Sequence, residues 1–361
     1  MTSRNARRRF LALAIGVLVA AGFVGVAEVR TRDGELGSMV VAFDPPGIKY
    51  VLAPDQPDAG RGWREGATPP PRLGDVPRLV CVGDSVTYGV NVAERETFCE
   101  VVGRGIDRRT ETFDFGMNGY DAEQVAALVD SRVAPWKPGL VLWGAYVNDV
   151  FPTYLLYGLE SGEPVYVGTE IPEKARLLPE PLALFLVRHS ALFRRIQGAA
   201  YARSERASGP AHPSGDWYDR QVDRITAWSK AQGIPVLALA IPPHVLARMD
   251  TCPQHFPVQG LCEASLAQYR TVTASLTRAG IPWVDGLAAF QASGQEHFHP
   301  PGRRDPDHPN AAGHRVLAMA ALPKAREMLG LAAGTTEVAE PSEIRGLKPA
   351  DGAKHPGGGR R

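Results

Sequence analysis

Five short apolar runs, separated by longer amphipathic segments, constrain this sequence most strongly. Each run is four to seven residues long and is bounded by Gly, Pro or Asp. This pattern is typical of strands that are buried on both faces. The runs lie at residues 79–82, 112–115, 140–143, 235–241 and 281–284. Helical patterns alternate with them, and this alternation predicts a mostly parallel sheet with helices on both of its faces.

The first run ends in a turn of small and hydroxyl-bearing residues. In the sequence LVCVGDSVTYGV, residues 79–90, the residues Gly83, Asp84 and Ser85 follow the apolar stretch directly. Ligands of open parallel sheets bind at the carboxyl ends of the strands. We therefore expect a functional site at this turn, with Asp84 in a structural role as the cap of the turn.

Ser85 needs partners before it can act as a nucleophile. A serine hydroxyl reacts poorly unless a base removes its proton, and the base works best when a carboxylate holds it in the right tautomer. Asp305 and His308 stand three residues apart in RRDPDHPNAAGH, just before a predicted helix, so one short loop could present both side chains. Two other strand ends offer candidate donors to a developing oxyanion: the backbone N–H of Gly119 and the side-chain amide of Asn148.

These segments resemble, in their order and approximate spacing, the four sequence blocks of the SGNH (GDSL-type) hydrolase family. They are GDSVTYG at residues 83–89, the glycine turn at Gly119, ND at 148–149 and DPDHPNAAGH at 305–314, within a match of roughly residues 76–325. The resemblance implies an α/β fold, a flavodoxin-like three-layer sandwich with a five-stranded parallel sheet. It also implies that Ser85 is the nucleophile, His308 the general base and Asp305 its orienting partner. Gly119, Asn148 and the N–H of Ser85 would form the oxyanion hole, and no cofactor is required.

Two positions depart from the pattern of the family. Its third block usually has Gly two positions before Asn, whereas here Gly144 lies four positions before Asn148, which leaves the shape of that loop open. In the second block, Gly116 is a rival to Gly119. Asp149 is expected to tie down its own loop through backbone N–H groups.

The segment before the last predicted helix offers a metal site as an alternative. Its histidines and acidic residues within eighteen positions are His297, His299, Asp305, Asp307, His308 and His314. This segment contains neither a His-x-x-x-His pair nor a Cys pair, and its prolines indicate an irregular loop. We therefore expect no metal, and we interpret His314 as a surface histidine.

The amino terminus contains a membrane-directing segment. Arginines at positions 4, 7, 8 and 9 precede an uncharged apolar stretch at residues 10–27. At about 1.5 Å per residue this stretch spans roughly 27 Å, close to the thickness of a bilayer core, which predicts a signal anchor. Gly25-Val26-Ala27 also resembles a cleavage site, so a cleaved signal peptide is the alternative. Either way, positive charge before the segment predicts that everything after residue 30 is extracytoplasmic, in the periplasm or at the cell surface.

Four cysteines fit an oxidising compartment. Cys252 and Cys262 bracket a loop that contains Pro and Gly and that a disulfide could close. Cys81 lies inside an apolar run and is interpreted as a small buried side chain. Cys99 has no assigned role.

The domain organisation follows from these segments. We expect an N-terminal signal anchor or signal peptide at 1–30, an extension or linker at 31–75, a catalytic domain at 76–330 and a disordered tail at 331–361. Short strand-like pieces within the extension could dock on the main body. An insertion at 150–215 beside a strand end is typical of a segment that caps a site, and a surface elaboration fits the same pattern.

The sequence as a whole predicts a serine esterase. The expected substrates are O-acyl esters, with acetyl or short acyl chains, of an extracytoplasmic polysaccharide or lipid. Two alternatives remain open: an O-acyltransferase that uses the same residues, and a catalytically silent carbohydrate-binding envelope protein. The 40 basic and 39 acidic side chains nearly cancel, so the charge gives no indication of a nucleic-acid partner. The expected partners are the ester-bearing substrate and, through the N-terminal segment, the membrane.

Overall fold

A parallel sheet of five strands forms the centre of the structure. The computed structural model describes residues 3–32, 36, 39–54, 61–157, 162–208, 216–247, 258–294, 296–298 and 308–331. The strands are β1 (Met39–Val41), β2 (Tyr50–Leu52), β3 (Arg78–Gly83), β4 (Glu111–Asp114), β5 (Leu140–Tyr146), β6 (Leu155–Tyr157), β7 (Pro164–Tyr166), β8 (Val236–Ile241) and β9 (Trp283–Asp285). The α-helices are α1 (Ser3–Arg32), α2 (Ser85–Tyr88), α3 (Phe98–Ile106), α4 (Ala122–Leu128), α5 (Glu180–His189), α6 (Ala191–Ser208), α7 (Trp217–Gln232), α8 (His244–Ala247), α9 (Val258–Ala279), α10 (Gly286–Ser293) and α11 (Ala311–Met328).

The strand order confirms the predicted fold class. The sheet runs β4-β3-β5-β8-β9 with every pair parallel, which is the 2-1-3-4-5 order of flavodoxin-like sheets. Helix α11 contacts α3 and α10 in one layer, and α7 contacts α4 and α9 in a second layer. The three central strands β3, β5 and β8 are buried along their whole length, because helices cover both faces. The order reverses between β3 and β5, so the crevice for a ligand lies at the carboxyl ends of those two strands.

The segment interpreted as an extension or linker contributes to the main hydrophobic core. Strands β1 and β2 form an antiparallel pair. Ile48, Tyr50, Leu52 and Trp63 are all buried in the same cluster as the central sheet. Part of residues 31–75 is therefore packed against the catalytic body.

The insertion after β5 has a small core of its own. It contains the antiparallel pair of β6 and β7, followed by α5 and α6. Tyr154, Tyr166, Tyr201, Ala183 and Val187 are members of a hydrophobic cluster separate from the main one. Helix α6 also contacts the carboxyl end of α1, so the insertion lies between the catalytic body and the N-terminal helix.

Cys81 is part of a disulfide, which its interpretation as a small buried side chain did not include. Cys81 in β3 and Cys99 in α3 form a disulfide, with their Cα atoms 6.0 Å apart. The interpretation of Cys81 as a simple buried side chain is wrong, because packing of α3 on the sheet brings together two residues that spacing alone did not pair. Cys262 is also disulfide-bonded, whereas Cys252 lies outside the described residues.

Helix α1 is the one described helix that is long and apolar enough to cross a membrane. Within its span at residues 13–32, an 18-residue window has a mean hydropathy of 1.9, and none of that window is buried within the protein. The expected tail at 331–361 lies outside the described residues except for its first position.

Candidate active site

The turn after β3 is shaped by its glycine and its aspartate. Gly83 has a φ of +154°, and a Cβ there would lie 2.1 Å from the Oγ1 of Thr87, so no larger residue fits. Asp84 is the N-cap of α2, and its carboxylate accepts a hydrogen bond from the N–H of Val86 at 2.9 Å. This confirms the expected capping role. The result is that Ser85 opens a short helix at the carboxyl edge of the sheet.

The described structure brings Ser85 and His308 together. The Nε2 of His308 lies 2.8 Å from the Oγ of Ser85, although the two residues are 223 positions apart. Asn310 fixes the segment after His308: its N–H donates to the carbonyl of His297, and its side chain caps α11 at Gly313. Asp305, the expected partner of His308, lies outside the described residues.

Packing at the end of β5 explains why Gly144 lies four positions before Asn148 and not two. Gly144 pairs with Gly83 in the sheet, and a Cβ on Gly144 would lie 2.2 Å from the Oγ1 of Thr87. Gly144 is therefore required for packing inside the sheet and does not shape the loop around Asn148. That loop is held instead by Asp149, whose buried carboxylate accepts the N–H of Tyr146 at 3.2 Å, as expected. Asn148 itself is exposed at this turn.

Asp84 connects the two strand ends electrostatically. Burial raises its pKa to about 6, and hydrogen bonding from Val86, the charge of His308 and hydrogen bonding from the Asn148 side chain oppose that rise. Burial and the nearby charge of Asp84 also raise the pKa of Asp149. The side-chain amide of Asn148 therefore lies close to the carboxylate of Asp84, the residue next to Ser85.

The second glycine turn favours Gly119 over Gly116. Gly119 has a φ of +77°, and within the described residues no hydrogen bond occupies its N–H. The N–H of Gly116, in contrast, donates to the Oδ1 of Asp114 at 2.9 Å. A Cβ at Gly116 would lie 2.2 Å from the N of Tyr88, so this glycine is needed for close backbone approach.

A buried lysine, which the sequence interpretation missed, supports the Gly119 turn. The Nζ of Lys49 lies 2.9 Å from the carboxylate of Asp121 and 3.3 Å from that of Glu123, and it donates to the carbonyl of Thr153 at 3.1 Å. Thr153 in turn donates through its hydroxyl to the carbonyl of Gly119 at 2.9 Å. Burial lowers the pKa of Lys49, but the two carboxylates more than offset this and raise it. The only feature of the sequence that could have indicated this buried lysine is its position between the apolar residues Ile48 and Tyr50 in a short strand-like segment.

A groove extends from the site toward the insertion. It has a volume of about 500 Å³, and its walls include Gly119 and Asn148 together with three tyrosines of the insertion, Tyr154, Tyr157 and Tyr201. A cavity of about 560 Å³ lies elsewhere, beside Trp63 and Trp136, and contains none of the site residues. We connect the groove with the site because it contains both candidate oxyanion donors.

The histidines around His308 have separate structural partners. The Nε2 of His297 lies 2.6 Å from the hydroxyl of Ser293 and 3.0 Å from the carbonyl of Phe290. His314 is fully buried, and its Nδ1 accepts the N–H of Phe98 at 3.2 Å.

The interpretation of His314 as a surface residue is therefore wrong. Packing of α11 on α3 buries it, and this burial lowers its pKa to about 3. Across the described part of the chain, no group of three or more His, Cys, Asp or Glu residues is arranged to hold a metal ion. His299 and Asp307, like Asp305, lie outside that part.

Comparison with known proteins bears on this geometry. The sequence model of the GDSL-like lipase/acylhydrolase family matches residues 81–316, which include the Ser85 turn and His308. The chain belongs to this family. It is accordingly a hydrolase that acts on ester bonds. No curated protein matches the chain.

Solved structures with the same type of fold are distant from the chain. A member of the lipolytic G-D-S-L family from Veillonella parvula is 14% identical with a TM-score of 0.40, and the match covers 68% of this chain and 97% of that one. An alpha/beta hydrolase from the metagenome of Lake Arreo, Spain, is 17% identical with a TM-score of 0.41, covering 70% and 95%. The acetylxylan esterase Axe2 from Geobacillus stearothermophilus is 15% identical with a TM-score of 0.39, covering 71% and 94%.

Proposed function

We propose that this GDSL-family hydrolase is a serine esterase that removes O-acyl groups through an acyl-enzyme on Ser85. The observation that carries the proposal is the 2.8 Å separation between the Oγ of Ser85 and the Nε2 of His308. A base within hydrogen-bond reach can take the hydroxyl proton as the oxygen attacks. Asp305, three positions before His308, is proposed to orient the imidazole.

The proposed reaction has two steps, acylation of Ser85 and hydrolysis of the acyl-enzyme. The Oγ of Ser85 bonds to the ester carbonyl carbon while His308 takes the hydroxyl proton. Breakdown of the tetrahedral intermediate cleaves the bond to the alcohol oxygen, and His308 returns the proton to the departing alcohol. A water molecule then attacks the acyl carbon while His308 takes its proton; the bond to the Oγ of Ser85 breaks, His308 returns the proton to that oxygen, and the carboxylic acid leaves.

Three donors are proposed to stabilise the oxyanion. The N–H of Ser85 lies in the first turn of α2, where it has no acceptor within the helix. The unoccupied N–H of Gly119 and the Asn148 amide, which is steadied by Asp84, complete the set. Removal of one such donor typically costs about 3 kcal/mol of barrier, or roughly a hundredfold in rate.

The groove beside these donors suggests where the rest of the substrate binds. Its tyrosine-lined wall supports a substrate that carries a bulky alcohol part, such as a polysaccharide or a lipid. We propose that the acyl group is acetyl or another short chain.

The compartment is proposed to be extracytoplasmic. Disulfides persist in oxidising compartments, and the bond between Cys81 and Cys99 lies in the core of the catalytic domain. The apolar helix α1 is proposed to anchor this domain to the membrane.

The test measures hydrolysis of a short p-nitrophenyl ester by the full chain in detergent, with and without a serine-reactive fluorophosphonate. Loss of turnover by about a thousandfold or more is expected in Ser85→Ala and in His308→Ala, because each removes half of the nucleophile pair. Fluorophosphonate labelling should be confined to Ser85. Ser131→Ala is the matched control, since the Ser131 hydroxyl bonds only to the carbonyl of Ala127 on a helix remote from the turn.

The same experiment separates the alternatives. Unaltered turnover in Ser85→Ala would contradict the serine mechanism. Adding an oligosaccharide acceptor and following the acyl group distinguishes transfer from hydrolysis, because a transferase acylates the sugar while an esterase releases the free acid. A silent binding protein would show neither labelling nor turnover, yet Ser85→Ala would still bind the sugar.

A further inference from the structure

The carboxyl end of α1 is locked to the insertion by a carboxylate. Glu28 accepts hydrogen bonds from the N–H of Ala191 at 2.8 Å, from the N–H of Leu192 at 3.1 Å and from the hydroxyl of Ser190 at 2.7 Å. The first N–H groups of a helix have no partner within it, and here a side chain of α1 provides the acceptor for α6. The end of α1 and the start of α6 therefore form one fixed junction.

This junction lies at the surface of the membrane if α1 crosses it. The uncharged stretch at residues 10–27 ends immediately before Glu28, and at about 1.5 Å per residue its length matches the hydrocarbon core. Glu28 is thus the first charged group beyond that core. The next turn adds a second tie, since the guanidinium of Arg32 donates to the carbonyl of His189 at 2.7 Å. His189 is the last residue of α5, so α5 also ends at the membrane surface.

The outer face of α5 is apolar although the protein does not cover it. Ala183 and Val187 face the small core of the insertion and are buried. Leu182 and Phe185 are instead 48% and 56% exposed, and the ring of Phe185 packs on His189 with centroids 4.6 Å apart. The ten residues of α5 span about 15 Å, so this face lies within that distance of the junction with α1.

Neighbouring side chains complete a surface suited to lipid. Ile196 of α6 is 48% exposed, less than two turns from the residues bound by Glu28. Arg30 and Arg188 are exposed on either side of the junction. An apolar face flanked by basic side chains is the composition of segments that lie in the interfacial layer of a bilayer.

We propose that the outer face of α5, formed by Leu182 and Phe185 with Ile196 of α6, enters the interfacial layer of the bilayer that α1 spans. The occupant of this face is the lipid itself, because the hydrogen bonds of Glu28 and Arg32 hold the face beside the point where α1 leaves the membrane. This docking rests on α1 as the proposed anchor and does not depend on the chemistry at Ser85. It would hold the tyrosine-lined groove close to the lipid surface, since Tyr154 and Tyr201 belong to the same small core.

Site-specific fluorescence in lipid vesicles tests this docking. The full chain is reconstituted into vesicles of phosphatidylcholine and phosphatidylglycerol, with or without brominated acyl chains. Leu182→Cys and Phe185→Cys each carry an environment-sensitive fluorophore, attached without reduction so that the native disulfides remain. The matched control is Leu73→Cys, because Leu73 is an equally apolar residue that is 68% exposed in the segment preceding β3.

Brominated lipid should quench the labels at 182 and 185 by at least about twofold and leave the label at 73 unchanged, since only interfacial residues reach the acyl chains. Glu28→Gln should reduce the quenching while the chain still floats with the vesicles, because it weakens the junction and not the anchor. Labels at 182 and 185 that are no more quenched than that at 73 would overturn the proposal. A chain that does not float with the vesicles would overturn it as well.

Turnover of a soluble ester by the same samples reports on Ser85 separately. Failure of the docking with normal turnover, or the reverse, therefore identifies which of the two proposals is wrong.

Discussion

The turn at Ser85 and the insertion after β5 are built in opposite ways. The turn lies against the main core, where Gly83, Thr87 and Gly144 leave no room for another atom and a disulfide joins β3 to α3. The insertion has a small core of its own, an exposed apolar face, and a tie to the N-terminal helix through the side chain of Glu28. Close backbone packing therefore holds the candidate catalytic residues in the first region. The second region is a separate element, which we propose lies beside the substrate and the membrane.

Among the variants that test this comparison, Lys49→Met is expected to have the largest effect on stability and turnover, because Lys49 supports the Gly119 turn from within the core. In Lys49→Met, the carboxylates of Asp121 and Glu123 lose their buried cation, which is expected to cost about 3–5 kcal/mol of stability. The Gly119 turn also loses the support that reaches it through Thr153, so kcat for a small ester should fall by roughly a hundredfold with little change in KM. Thermal unfolding and steady-state kinetics measure the two effects.

Two further variants distinguish positioning from general destabilisation. Lys230→Met removes a lysine from the exposed face of α7 and should change neither quantity. Lys49→Met combined with Asp121→Asn should recover part of the stability, because it removes one of the unpaired charges, yet kcat should stay low. Recovery of kcat together with stability would show that Lys49 has no role in positioning the turn.

Asp114→Asn is expected to have an intermediate effect, on the pH dependence of the free energy of unfolding. Burial raises the pKa of its carboxyl to about 7, against the opposing effects of the Gly116 N–H and the charge of Arg61. Below about pH 4 the group is protonated in both the folded and the unfolded chain. Between pH 4 and 7 only the unfolded chain releases the proton, so the free energy of unfolding falls as pH rises, by up to roughly 4 kcal/mol, and then levels off. Asp114→Asn removes this loss and keeps the acceptor for Gly116.

The measurement is the unfolding temperature of both proteins from pH 4 to pH 8. Asp114→Asn and the unaltered protein should be nearly equal at pH 4, and the variant should be more stable at pH 8. Asp130→Asn serves as the control, because it removes an acidic group from a half-exposed ion pair with Arg224. Curves for Asp114→Asn and the unaltered protein that stay parallel over the whole range would contradict the raised pKa.

Glu28 gives the smallest expected effect and tests the separability of the insertion. Glu28→Gln weakens the hydrogen bonds to the start of α6, at an expected cost of about 1 kcal/mol. Hydrogen exchange of the amides at residues 191–194 should accelerate, while turnover of a small ester should not change, because the Ser85 turn belongs to the other core. Glu65→Gln makes the same change at an exposed position and is the matched control. Reduced turnover in Glu28→Gln alone would show that the two regions are coupled.

The site itself was predictable where its residues lie at the ends of apolar runs. The strands of the sheet and the Ser85 turn depend on local patterns and on the rule that parallel strands present their carboxyl ends together, whereas the pairing of His308 with Ser85 was expected from the resemblance to the family. The resemblance favoured Gly119 with Gly116 as its rival. The contacts that distinguish the two glycines, with the backbone of Tyr88 and the carboxylate of Asp114, are revealed by neither pattern.

The sequence by itself determined the alternation of strands and helices, the position of the Ser85 turn and the presence of an apolar N-terminal helix, because each is encoded in short stretches of consecutive residues. Only the tertiary structure decided the bond between Cys81 and Cys99, the burial of His314 and the support of the Gly119 turn by Lys49. These contacts join residues far apart in the chain, as between Lys49 and Asp121, 72 positions apart, and between Phe98 and His314, 216 apart. Their geometry depends on how whole elements pack, so no local pattern of hydrophobicity or spacing specifies them.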